Sequence, residues 1–373
     1  MAIITVSNTG GLFSSSATWV GGVVPVYPDT IDFTATSGDL TIDNQYTLAG
    51  IDFTNYIGVF RMLSGATNIS ILDDGAGAAG FINMGSGGYT LIDDGTDYGF
   101  SVNGTPPVIL TNNVGKVNPF PIYFPDGVLG DTIIINGNWI QEGFLIDGGS
   151  GFIYTIINNG IFTLIGTHNY PLMSFSMVCN ALGGVYFNGD ITFFSALFYG
   201  GDIKLVGGNF SCPQVEFSNA YSDIKIDFNN HIFEYLSIGG DVNNNIQLNS
   251  VLLSNELSLN EHINLTGNFG FNISTILCDY TNNLTLILNP SAEYFINNQI
   301  NMRDCIIMSS VAGVKSKLTL GQNINQVLMC NITATDIDSS NGRRVNNFYG
   351  TATNCDNWRI WTDNTLPQVT STF

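Results

Sequence analysis

Two tetrapeptides lie twenty residues apart in this chain: Leu72-Asp73-Asp74-Gly75 and Ile92-Asp93-Asp94-Gly95. Each follows a short aliphatic run and ends on a turn signal. A recurrence of about 20 residues, in a chain rich in Asn, Gly, Ile and Thr, is the mark of a solenoid built by stacking repeats. Because the runs between turns are short and β-branched, the repeat reads as a β-solenoid. That limits what the chain can be: it stacks coils and does not wrap helices around a pocket.

The rest of the sequence is consistent with this reading. Short strands are predicted at 132–136, 152–157, 185–188, 223–228, 246–248, 263–265, 284–288 and 318–320. Within each, apolar and polar residues alternate, as half-buried strands do. The series Ile224, Ile246, Ile263, Leu284 advances by 22, 17 and 21 residues. Asn136-Gly137, Gly148-Gly149, Asn159-Gly160 and Asn188-Gly189 punctuate the runs. A hairpin sandwich has turns as frequent as these, and the period of about 20 residues decides against it. The fold class is therefore all-β: a right-handed parallel β-helix with an N-terminal cap and a short C-terminal tail. Residues 1–45 are assigned to the cap and first coil, 46–360 to the solenoid and 361–373 to the tail. Residues 104–127 carry five of the eleven prolines. Proline cannot donate to a strand ladder, so this stretch is expected to leave the coils as a loop, an edge excursion or a kink.

Composition narrows the function. Apolar residues make up 44% and charged residues only 11%, against roughly 25% in an ordinary soluble protein. The formal charge is −20, from 30 acidic and 10 basic residues. Such a surface repels phosphate backbones, so no nucleic-acid partner is expected. No run of about 18 apolar residues points to membrane insertion. The first residues have neither a basic region nor an apolar core, so a secretory signal is not expected.

Six cysteines are present and none forms a C-x-x-C pair. Cys278, Cys305, Cys330 and Cys355 are separated by 27, 25 and 25 residues, close to one coil each. They are expected to stack as a buried thiol ladder, with disulfides between neighbouring coils as the alternative. At the other end, Thr18-Trp19-Val20-Gly21-Gly22-Val23-Val24-Pro25 precedes the first strands. Trp19, Gly21, Gly22 and Pro25 are the residues expected to build a cap, which a solenoid needs over its open first edge.

That T-W-x-G-G-x-x-P pattern, followed by Thr30-Ile31-Asp32 and Leu40-Thr41-Ile42-Asp43, resembles the start of G8-type and related extracellular or phage β-helix proteins. The segment 330–345 with Gly350–Cys355 is similar to closing coils in parallel β-helix proteins of tailed-phage virions. The resemblance implies a β-helical start and end. It suggests a virion surface protein made in the host cytoplasm: a spike, fibre or capsid decoration. Its expected partners are its own copies, as a homotrimer, other virion proteins and a host-surface glycan. A tailspike-type depolymerase and a cell-surface adhesin are the rival functions.

The chemistry is less legible. No nucleophile elbow and no phosphate loop is present. Glycan cleavage needs paired carboxylates. Candidates are Glu216 with Asp223 or Asp227, Glu256 with Glu261, and Asp97 with Asp147, none marked out by a motif. No cofactor is expected beyond Ca²⁺, for which stacked Asp73, Asp74, Asp93 and Asp94 are the candidate ligands. Turns closed by their own Asp side chains explain the same letters. His168, His231 and His262 lie apart from one another and read as ordinary residues.

Overall fold

The computed structural model describes residues 2–361, apart from 66, 74, 97–98, 103–107, 125–131, 148–154, 180–182, 219–222, 240–244, 261–263, 280–283 and 323–325. Among the described residues the chain is all-β, with a single three-residue 3-10 turn at Ser16–Thr18. Its strands pair in parallel and stack as a β-solenoid. Two compact units divide it, Met1–Cys212 and Pro213–Phe373.

In the first unit the coils begin three-sided. The main sheet takes Ile3–Thr5, Thr30–Asp32, Gly50–Asp52, Phe81–Met84 and Val108–Asn112 in turn. A second sheet holds Gly11–Leu12, Leu40–Ile42, Val59–Met62 and Thr90–Asp93. A third holds Gln45–Leu48, Asn68–Ile71, Gly99–Val102, Ile122–Phe124 and Leu145–Asp147. Further along, the sides merge into long strands such as Ile161–Cys179 and Gly184–Tyr199.

Stacked side chains hold the coils together. Ile4, Ile31, Ile51, Ile82, Leu110 and Ile135 are successive register partners, followed by Asn158 and Cys179. From Ile31 onward all are buried. A branched side chain suits this position because it fills the pleat and packs on its neighbours along the axis. Aromatic rings extend the same stack: Phe33 lies 5.2 Å from Phe53, and Phe53 lies 5.1 Å from Tyr89. In the second unit Ile224, Ile246, Leu265, Leu286, Ile307, Ala334 and Ala352 are successive register partners. The expected series Ile224, Ile246, Ile263, Leu284 is thus corrected after its second member; Ile263 lies outside the described residues.

Turns stack as well. Asn159 donates through Nδ2 to Asn136 Oδ1 at 2.8 Å, so the two Asn-Gly turns sit on consecutive coils. A Cβ on Gly160 would lie 1.9 Å from the Gly137 carbonyl oxygen, so only glycine permits this approach.

The N-terminal segment folds back on the first coil. Trp19 makes an antiparallel bridge with Val6. Val20 N–H donates to Thr5 O at 2.9 Å, and Ser7 N–H donates to Thr18 O at 2.7 Å. Since Thr30 N–H donates to Ala2 O, alternation puts these bonds on the strand edge that the second coil does not use. Trp19 is buried against Phe13, and its indole N–H reaches the Phe13 carbonyl at 2.9 Å. Gly21 and Gly22 both have positive φ (82° and 69°), and Pro25 is buried behind them.

The proline-rich stretch is corrected in part. Its described residues, 108–124, run through three strands and do not leave the coils, and the units do not divide there. Pro119 and Pro121 form a corner around buried Phe120. Buried Gln141 ties that corner: it accepts from Asn118 Nδ2 and Trp139 Nε1, and donates to the carbonyls of Phe120 and Gly143. Pro106, Pro107 and Pro125 lie outside the described residues.

Candidate functional site

The two Asp-Asp-Gly segments do not stack. Asp93 closes a strand of the second sheet, and the residue one coil before it is Met62. Asp73 follows Asn68–Ile71, a strand of the third sheet. Here a coil is 31 residues long, as the pairs Val59–Thr90 and Asn68–Gly99 show. The spacing of twenty therefore links two sides of the body and not two coils.

Each described Asp has a structural partner. Asp73 Oδ1 accepts the Gly75 N–H at 2.7 Å and the Tyr27 hydroxyl. Asp93 Oδ1 accepts the N–H groups of Gly95 and Thr96 at 2.9 and 2.8 Å. Gly75 and Gly95 have φ of 75° and 94°. These are turns closed by an Asp side chain with glycine in the left-handed region. Asp94 takes Arg61 through both carboxylate oxygens, at 2.9 and 2.7 Å. Asp74 lies outside the described residues. Among the described residues, no three His, Cys, Asp or Glu side chains gather where they could hold a metal ion.

The cysteine ladder is likewise absent. Cys278 pairs with Leu259, Cys305 with Leu284, and Cys330 with Arg303 and Phe348. Cys355 adjoins Asp356, which bridges to Asp338. Evenly spaced cysteines fall out of register because the coils are uneven: 21 residues separate Leu284 from Cys305, 27 separate Arg303 from Cys330 and 18 separate Cys330 from Phe348. Cys179, Cys212, Cys305, Cys330 and Cys355 are not joined in disulfides among the described residues. Burial pushes the Cys179 thiol up to about 12.

Of the expected carboxylate pairs, Asp97 and Glu261 lie outside the described residues, as do the side chains of Asp147 and Glu256. Glu216 points outward between buried Val215 and Phe217, and partial burial raises its pKa. Its register partner is Ser237, whereas that of Asp227 is Asn249, so the two stand on different ladders. His168 is fully buried. Its Nε2 is 2.8 Å from Ile165 O, and burial holds its pKa below the ordinary value.

Sequence reasoning missed one carboxylate pair. Asp32 and Asp52 are register partners on consecutive coils. Asp52 Oδ1 accepts from Thr54 N, Thr54 Oγ1 and Asn83 Nδ2 at 2.9, 2.6 and 3.0 Å. Burial, and then the charge of Asp52, raises the pKa of Asp32. The signal was available: Ile31-Asp32-Phe33-Thr34 recurs as Ile51-Asp52-Phe53-Thr54, and Ile82-Asn83 continues it.

No protein-family model, curated protein or solved structure matches the chain. The class defined by its own geometry is a parallel β-solenoid with a capped first coil.

Proposed function

We propose that this chain is a non-catalytic structural protein of a virion surface, in a phage or similar virus. It serves as a spike, fibre or capsid decoration that mediates assembly or host-surface contact, as a homotrimer among other virion proteins. The observation that carries this reading is how its polar groups are used. Asn159 binds Asn136, Asn209 binds Asp190, Asn331 binds Asp304, and Asn354 binds Asp336, each across consecutive coils. These side chains are engaged in holding the stack. A body of low charge and stacked coils suits a load-carrying, protease-exposed surface. Labelling of intact particles with an antibody to the folded chain tests this. Surface labelling supports it; confinement of the chain to the infected-cell lysate, away from particles, overturns it.

A tailspike-type polysaccharide depolymerase is the second reading, and Asp32 with Asp52 favours it. Partners in adjacent parallel strands lie about 4.8 Å apart, near the roughly 5–5.5 Å that retaining hydrolysis needs. The raised carboxyl of Asp32 suits a general acid, and Asp52 stands opposite it as the second carboxyl group. Loss of reducing-end release from purified host polysaccharide in Asp52→Asn tests that reading. It fails if the native chain releases none.

A further inference from the structure

The chain's charge is distributed unevenly. Residues 303–361 hold six of the ten Lys and Arg, against four Asp and no Glu, in a protein of net charge −20. Arg303, Lys317, Arg344 and Arg359 are exposed and form none of the ion pairs found among the described residues.

Register places Arg303 and Arg359 on the strand ladders that carry two aromatic rings. Val345–Phe348 pairs with Trp358–Trp361, setting Asn346 opposite Arg359 and Phe348 opposite Trp361. Val345 and Asn347 are buried, so Asn346 and Phe348 face outward and Arg359 and Trp361 lie on the same side. Arg303, Cys330, Phe348 and Trp361 are successive partners in one outward ladder. Exposed Arg344 immediately precedes Val345. The Phe348 and Trp361 rings are near parallel, 17° apart with centroids 6.3 Å apart. The Arg359 guanidinium lies 3.7 Å from the Trp361 ring centroid, and Asn346 Oδ1 accepts the Trp361 indole N–H at 3.3 Å.

We infer that this face binds a short oligosaccharide bearing carboxylates, of the uronic or sialic acid class. The half-exposed Phe348 and Trp361 rings offer apolar surface to the C–H groups of a pyranose. Stacking occupies a guanidinium's face and leaves its in-plane N–H edge for a carboxylate. A neutral sugar has no use for the arginines at 303 and 359. A long polyanion meets a body that is otherwise strongly acidic, which favours a short ligand over nucleic acid. The ladder from Arg303 to Trp361 crosses three strand spacings of about 4.8 Å each, the scale of a short oligosaccharide. The inference does not depend on the virion reading and survives its failure.

Calorimetry and tryptophan fluorescence on the full-length chain test it. The probes are short oligogalacturonate, short oligosialic acid, methyl-esterified oligogalacturonate and a single-stranded oligonucleotide. At least one of the two acidic saccharides binds saturably and less tightly in raised salt, while the ester does not bind. Arg359→Gln and Trp361→Leu each weaken binding about tenfold, and Arg61→Gln, at an ion pair within the first unit, leaves it unchanged. If Trp361→Leu disturbs folding, Arg359→Gln carries the test, because its side chain is exposed. Failure of both acidic saccharides, equal binding of the ester, preference for the oligonucleotide, or unchanged binding by Arg359→Gln each overturns the inference.

Discussion

Asp32 lies directly opposite Asp52 on the next coil, and the two carboxylates share one outward ladder with Asn83. Asp52 is held by Thr54 and Asn83, while burial, and second to it the charge of Asp52, raises the pKa of Asp32. A carboxyl that is harder to ionise when folded withdraws stability as pH climbs through the acidic range. Asp32→Asn removes the repulsion and keeps the shape. It is expected to raise stability at neutral pH by about 0.5 kcal/mol, the scale of a partly exposed charge interaction. Denaturant unfolding at pH 7 and pH 3 measures this, with the gain confined to pH 7. A loss at pH 7 shows that a bound cation or substrate group needs both carboxylates.

The aliphatic ladder makes a second prediction. Ile51 is fully buried between Ile31 and Ile82, so Ile51→Ala removes contacts on both sides. It is expected to cost about 2–5 kcal/mol. Ile3→Ala, at a side chain that is 67% exposed, is expected to stay within about 0.5 kcal/mol. Urea titrations of both variants check the contrast.

The cap protects an edge as well as a core. Trp19→Ala removes the indole that packs on Phe13 and frees the segment that covers Thr5 and Ser7. An open strand edge recruits other strands. The variant is expected to form end-to-end oligomers, seen by light scattering, where the native chain does not. Gly21→Ala, at φ 82°, is expected to cost about 1 kcal/mol through backbone strain alone, without association.

His168 supplies a pH dependence of known sign. It is fully buried and its folded-state pKa lies below the ordinary 6.5. The unfolded chain therefore takes up the proton first as pH falls. The stabilisation is complete above about pH 6.5 and is lost as pH drops through the folded-state value. His168→Gln, which can still donate to Ile165 O, is expected to flatten the unfolding midpoint across that window. An equally steep decline in the variant assigns the effect elsewhere.

The thiols should react in two groups. Cys179 and Cys305 are buried, and the Cys179 thiol is pushed up to about 12. Cys212, Cys330 and Cys355 are only half-buried. Mass spectrometry after brief alkylation of the native protein is expected to find these three modified first. Only the thiolate reacts, and only where reagent can reach it.

The architecture was legible because stacking demands a pattern that survives in one sequence. Ile31 and Ile51, or Ile224 and Ile246, repeat at coil length within alternating runs. The register was not legible, because coil length varies. Twenty residues separate Thr30 from Gly50, and 31 separate Gly50 from Phe81. Regular spacing in the sequence therefore misled twice, for the Asp-Asp-Gly segments and for the cysteines. The surface of Arg303, Arg359 and Trp361 was hidden for the same reason. Its residues are 58 positions apart at the extremes and meet only through pairing.

Electron microscopy of the native particle at side-chain resolution tests the central proposal most directly. The account predicts a β-solenoid whose flank packs on a capsid or tail lattice, with Asp52 still bonded to Thr54 and Asn83. A chain that projects freely, with a saccharide lying across Asp32 and Asp52, contradicts the structural reading in favour of the enzyme.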